Sequence, residues 1–351
     1  MAENKKSVGA STVSHKSYPK VAFDSILILT DKATFAEPFR TYQSSVGFLE
    51  DNEHDDLVQA GTLAFMQQPR IKTVIVAKTD PTNEDIGSLM VKMVELDSVL
   101  DTDFFCVTVV SENSDDELIE LAKFVETQEM LFFAYTKDEA TISTADTDLM
   151  SRIANLGLRK TAVSYHKEVR LDFAYISRFL GEDIGLVSAK FLVLSGVPTS
   201  NLSNSELTNV LNKNGNVYDS ERKKFKFTKQ GTTGSNENIK SVAGEIFISV
   251  TCIEAIYEVL LNNSNISFNS KDIKKLNTAI NTRLRIAQVQ KIIAEDSEED
   301  GAGFLISIIP TRAESKIEFQ IKYLDAGTLK FVTLNFTAFK DDEQFNIERE
   351  G

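Results

Sequence analysis

The chain holds only two cysteines, Cys106 in DFFCVTVV and Cys252 in FISVTCIEAI, far apart and each inside an apolar run. Such placement predicts buried free thiols, as expected of a chain folded in a reducing cytoplasm, and argues against a disulfide framework. Histidine is as scarce: His15 lies in a polar N-terminal stretch, His54 in an acidic run, and His166 at a strand end. None stands at ligand spacing from another or from a cysteine, which argues against a zinc site. His166 beside Ser164 or Tyr165 is the one candidate base, and a structural strand-end histidine is the reading adopted. No apolar run approaches the ~18–20 residues a membrane helix needs. The opening MAENKKSVGASTVSHKSYPK has no apolar core segment, so neither a secretion signal nor membrane insertion is expected.

Glycine is missing where a nucleotide fold would need it. The first strand-to-helix turn reads LILTDKATF, without the glycines that let backbone approach a pyrophosphate. No G-x-S-x-G elbow occurs either. The run EDSEED at 295–300 lacks the glycine of an EF-hand loop and reads as a solvated acidic loop rather than a calcium site. Asp80, Asp101 and Asp103 lie near strand ends with no nucleophile or lysine pattern to complete a magnesium site. No catalytic, metal or cofactor residue is therefore assigned. Positive charge is in deficit too: the net charge of −14 repels phosphate backbones, so nucleic acid is not an expected partner.

What the chain does have is alternation. Apolar runs at 21–29, 71–77, 104–110, 130–135 and 161–165 read as buried strands. Helical patterns at 55–68, 83–100, 115–127, 146–155 and 171–180 separate them. Buried strands joined by helices mean crossovers and a largely parallel sheet, so residues 21–190 read as an α/β layered domain. Residues 1–20 read as an extended arm. After Lys190 the texture changes to α+β over 191–351: a strand-like run at 191–197, a short helix near 206–212, and a hairpin-like segment at 217–228. Two long helices follow at 239–261 and 269–293, the second capped by Asn269, and then β patterns at 303–309, 316–323 and 329–339.

One helix stands out against the acidic whole. Lys271, Lys274, Lys275, Arg283, Arg285 and Lys291 face a single acid, Asp272, within 271–291. A solvated face accounts for this; so does a docking helix for an acidic partner, where complementary charge sets register and rate.

The order of several short passages resembles myovirus-type contractile tail sheath proteins. The first strand is followed by Tyr42-Gln43-Ser44-Ser45, then AGTLAFMQQP at 60–69 running into a strand. Later, 191–198 and NLSNSELTNVLNKNGNVY at 201–218 lead through a hairpin and a Gly-rich loop to a long helix. The resemblance implies a structural subunit and not an enzyme, with an outer α/β domain, a C-terminal α+β sheath domain and extended terminal arms. It implies helical, six-fold self-assembly around an inner tail tube, with baseplate and tail-terminator proteins at the ends. Contraction would then drive the tube through a cell envelope, in a phage virion, a tailocin or another contractile injection system assembled in a bacterial cytoplasm. The arms would add strands to neighbouring subunits: Val13, Ser14 and Tyr18 from one end, Leu329, Phe331, Thr333, Asn335 and Thr337 from the other. The basic helix would be the contact with the tube. A divergent α/β enzyme or ligand-binding domain, or a baseplate or adaptor component, are the alternatives.

Overall fold

In a computed structural model, the structure describes residues 23–79, 88, 90–93, 96, 104–263, 266, 267, 269–295, 303–311 and 316–327. Strands β1 (Ser25–Thr30), β2 (Phe39–Tyr42), β3 (Thr73–Lys78), β4 (Cys106–Val110), β5 (Leu131–Thr136), β6 (Thr161–Tyr165), β7 (Asn216–Glu221) and β8 (Phe225–Lys229) form one sheet. Their order is β2-β3-β1-β4-β5-β6-β7-β8. The six strands from β3 to β7 are parallel, and the edge strands β2 and β8 each pair antiparallel.

All six residues of β1 are buried, because helices cover both faces. Alternation sends Ile26 and Ile28 into one core and Leu27 and Leu29 into the other. Helices α1 (Ser45–Asp51) and α2 (Asp55–Met66) line the first face. Helices α3 (Asp115–Glu126) and α4 (Leu149–Leu156) line the second, and α5 (Leu171–Leu180) returns to the first. Polar side chains start these helices where the sequence permits: Ser114 and Glu117 form a capping box on α3, and Asp148 accepts from Met150 and Ser151 on α4.

Although the sequence texture changes after Lys190, the sheet continues across that point. Strand β7 pairs with β6 through Ser164↔Asn216 and Tyr165↔Val217. Asn216 secures the junction. Its buried amide donates to the carbonyls of Val163 (3.2 Å) and Thr232 (2.8 Å) and accepts from the amides of Gly231 (2.9 Å) and Thr232 (3.1 Å). The run 191–197 is not a strand. Phe191 and Gly196 both take left-handed backbone angles, which break the extended path, although Leu192, Leu194 and Val197 are buried as a strand's alternate residues would be.

Helix α6 (Asn204–Asn212), also begun by a capping box, precedes β7. Helix α7 (Ile239–Asn262) follows β8 and has two working faces. Ile239, Val242, Ala243, Ile246 and Val250 enter the first sheet core; Ile248, Cys252 and Ile256 enter a third core. That third core is completed by α8 (Ser270–Val289), through Leu276, Ile280, Leu284 and Ala287, and by the hairpin β9 (Phe304–Thr311) and β10 (Lys316–Tyr323). The helix expected over 83–100 lies mostly outside the described residues. Ser88, Met90–Met93 and Leu96 are helical, with Met93 and Leu96 buried.

Candidate assembly surface

The hairpin is a two-stranded sheet with one face seated. Its register runs from Phe304↔Tyr323 to Thr311↔Lys316. Phe304, Ile306, Ile317, Phe319, Ile321 and Tyr323 pack on the third core, while Leu305 and Ile309 alternate outward. Among the described residues each strand pairs only with the other, so both long edges present backbone donors and acceptors. Such a pair gains stability from a third strand.

The chain leaves this hairpin along a fixed path. The Leu324 amide donates to the Gly303 carbonyl, the Ala294 amide to the Leu324 carbonyl (both 2.8 Å), and the Ala326 amide to the Ile292 carbonyl (3.0 Å). From α7, Ser241 donates to Asp325 (2.6 Å) and Lys240 to the Gly327 carbonyl (3.1 Å). At the other end, the Phe23 ring packs against Phe105 and Phe247, with centroids 4.9 and 4.8 Å away. The first and last described stretches of the chain therefore both abut α7. The residues expected in the arms, Val13, Ser14, Tyr18, Leu329, Phe331, Thr333, Asn335 and Thr337, lie outside the described residues.

The six basic residues of the α8 region do not act alike. The buried stripe of α8 leaves Lys271, Lys274, Lys275, Arg285, Ile286 and Val289 on the opposite, outward side. Lys271 and Lys274 are exposed there. Lys275 is drawn partly to Asp272 (3.0 Å) and Asn263 (3.1 Å), while Arg285 lies over the Phe304 ring, 5.1 Å from its centroid. Arg283 turns toward α7 and pairs with Glu258 (3.1 Å), and Lys291 stands past the helix end in a left-handed turn. Four of the six thus share one outward stripe. The exposed Val289 on that stripe carried no signal in a reading based on charge. The N-cap is as expected: Asn269 accepts from the Asp272 amide (2.8 Å).

The chemistry candidates resolve into structure. His166 is buried, with Nε2 3.0 Å from the Pro198 carbonyl and Nδ1 accepting the amides of Glu168 and Val169. Both ring nitrogens serve the backbone, which fixes the Nε2–H tautomer and leaves no base. Burial pushes its pKa below the usual histidine value. Neutral His166 is thus the native form. Its contribution to stability is full above about pH 6.5 and is lost as pH falls below that toward the lower folded value. His166→Asn, which keeps an acceptor but does not titrate, should flatten the pH dependence of the urea midpoint between about pH 5 and 7. An unchanged slope would count against this assignment. Both cysteines are free and buried, and burial pushes the Cys252 thiol up to about 12. Among the described residues no helix is long and apolar enough to cross a membrane.

No protein-family model matches the chain, and no curated protein does. Solved structures do. The anti-feeding prophage helical sheath in its contracted state superposes with a TM-score of 0.67 at 12% identity, covering 96% of this chain and 100% of that one. The sheath of an extracellular contractile injection system, PVC, also contracted, gives 0.64 at 12% identity over 95% and 97%. A tail sheath protein from Listeria innocua gives 0.55 at 9% identity over 86% and 95%. The match runs nearly end to end in each, and the chain has the fold of contractile sheath proteins.

Proposed function

We propose that the chain is a structural sheath subunit of a contractile tail, polymerising helically around an inner tube and contracting to drive that tube through a cell envelope. The observation that carries this reading is the end-to-end match with sheath chains taken from contracted assemblies. The half-open hairpin adds a physical reason to assemble. Strands from the arms of neighbouring subunits, at residues 7–20 and 329–339, pair with the outer edges of β9 and β10 and complete a sheet that two strands leave marginal. Backbone pairing asks little of side-chain identity, which suits an arm as polar as residues 7–20. The stripe of Lys271, Lys274, Lys275 and Arg285 faces an acidic tube surface; Arg283 braces the helix against α7, and Lys291 stands beyond its end. Residues 21–190 form the outward layer, and baseplate and terminator proteins meet the ends of the polymer in the tail of a virion or phage-like particle.

Negative-stain microscopy of the purified chain over a range of salt tests this. Hollow tubes with regular cross-striations are expected, and deleting residues 1–20 or 328–351 should abolish them while leaving a folded monomer by circular dichroism. Uniform small particles from the intact chain under every condition would overturn the reading.

A further inference from the structure

The two ends of the eight-stranded sheet carry opposite charge. Strand β8 closes one end with the hairpin turn from Glu221 to Lys224, where the segment ERKKFKFTK at 221–229 holds five basic residues and one acid. Residues 221–226 are all exposed. Phe225 is 55% and Val193 66% exposed, and Phe191 stacks on Phe227 with centroids 5.1 Å apart. Lys224 lies over Phe225 at 5.4 Å, and Lys229 over Phe227 at 3.9 Å. The open side of β8 is partly taken: Thr228 uses its amide on the Leu192 carbonyl (2.9 Å) and its carbonyl on the Phe191 amide (3.0 Å). Period two directs the backbone groups of Lys226 to the same open side.

The turn itself is costly. The Lys224 amide bonds the Glu221 carbonyl (3.1 Å), and Arg222 and Lys223 occupy the central positions at φ 51° and 57°. Positive φ at both central residues is the conformation that glycine and asparagine fill most easily, within a three-residue connection between Glu221 and Phe225. Two cations held in left-handed angles are strained local chemistry of the kind found at functional contacts.

The other end of the sheet is the reverse. Strand β2 is flanked by α1, and residues 45–53 hold three acids (Glu50, Asp51 and Glu53) and no lysine or arginine, while Arg40 of β2 is taken up by Glu37 and Asp51. Glu50 and Glu53 are exposed, and beside them Val46 is 65% and Leu49 39% exposed. Each end thus offers a small apolar patch ringed by charge, basic at β8 and acidic at α1.

We propose that the basic β7–β8 hairpin of one copy docks on the acidic α1 end of the next copy, extending the sheets laterally into a head-to-tail row. Charge complementarity within one sequence selects a second copy as the occupant. The eight-strand width, on the order of 30 Å at the usual strand spacing, keeps the two patches on opposite ends, so the contact is heterologous and leaves one patch open at each end of a row. The contact deepens the sheath reading, on which the presence of many copies rests, but uses neither arm.

Two variants test it. One carries Lys223→Glu, Lys224→Glu and Lys226→Glu; the other carries Glu50→Lys and Glu53→Lys. Sedimentation velocity and negative stain are run on each alone and on their equimolar mixture. Each alone should need a concentration on the order of tenfold higher than wild type, or more, to associate. The mixture should recover association, because every basic end then meets an acidic one, and salt should weaken both wild type and mixture. Recovery also shows that both variants fold. Variants that associate like wild type, a mixture that does not recover, or a wild type that never associates would each overturn the contact. Binding of a single-stranded oligonucleotide to the hairpin without charge-swap recovery would overturn it in favour of a nucleic-acid partner. The two readings fail separately. Normal tubes from both variants would leave the sheath reading intact, whereas charge-swap rows that never form tubes would remove that reading and keep the contact.

Discussion

Asp172→Ala should destabilise the protein by about 3–5 kcal/mol, the cost of leaving a buried cation without its partner. Asp172 is fully buried at the start of α5. It accepts from Arg170 Nε (3.1 Å) and Nη2 (2.7 Å) and from the Thr108 hydroxyl (2.8 Å). Arg170 also donates to the Val109 carbonyl (2.7 Å), and its guanidinium lies 4.9 Å from the Tyr135 ring centroid and 5.1 Å from that of Phe173. The pair thus ties β4, β5 and α5 together at the carboxyl end of the sheet. That is where open α/β sheets commonly bind ligands, and here a carboxylate, a hydroxyl and a guanidinium satisfy one another instead. Because alanine removes the anion but not the cation, the loss exceeds the worth of the pair. The double replacement Arg170→Met with Asp172→Leu should cost far less, since no charge is then stranded. Equilibrium urea unfolding of the three proteins measures both. A single-variant loss below about 1 kcal/mol would show that water reaches Arg170 and that the pair is not sealed.

Ile280→Ala should cost about 2–5 kcal/mol, and should do so unevenly along the chain. Ile280 is fully buried at the centre of α8, between α7 and the hairpin, with Leu276 and Leu284 one turn away on either side. A cavity there weakens the third core, while the two sheet cores keep their contacts. Hydrogen exchange should therefore speed up in α8, β9 and β10 well before it does in β1, β4 or β5. Uniform acceleration would mean that the three cores melt as one unit. The same substitution loosens the seat of the hairpin, so assembly should weaken with it.

Much of this architecture is legible from periodicity. Continuous apolar runs such as CVTVV mark buried parallel strands, and the i, i+4 spacing of Leu276, Ile280 and Leu284 marks the inner face of α8. The helix α7 is apolar on most sides because it serves two cores, and that too is visible as a long, mostly apolar run. Strand β2 escaped because FRTY is short, polar and at an edge, where one neighbour and one burial face suffice. The continuation of the sheet beyond Lys190 escaped for another reason. Strand β7 carries only a short apolar pair, Val217 and Tyr218, which enter opposite cores, and its pairing with β6 is secured by a buried asparagine. The split within the basic cluster was invisible as charge alone. It becomes visible when the buried stripe of α8 is drawn first, since Arg283 then falls beside α7 and the other helix residues fall outward.

Helix α7 has a mechanical consequence. With 24 residues it is about 36 Å long, and it is gripped by the sheet along one side and by α8 and the hairpin along another. A pull on the hairpin cannot be absorbed by hinging at its base, because the load passes directly into a beam clamped to the rest of the subunit. On the proposed sheath reading, deformation is then stored in the connections between units, and each unit turns as a stiff lever.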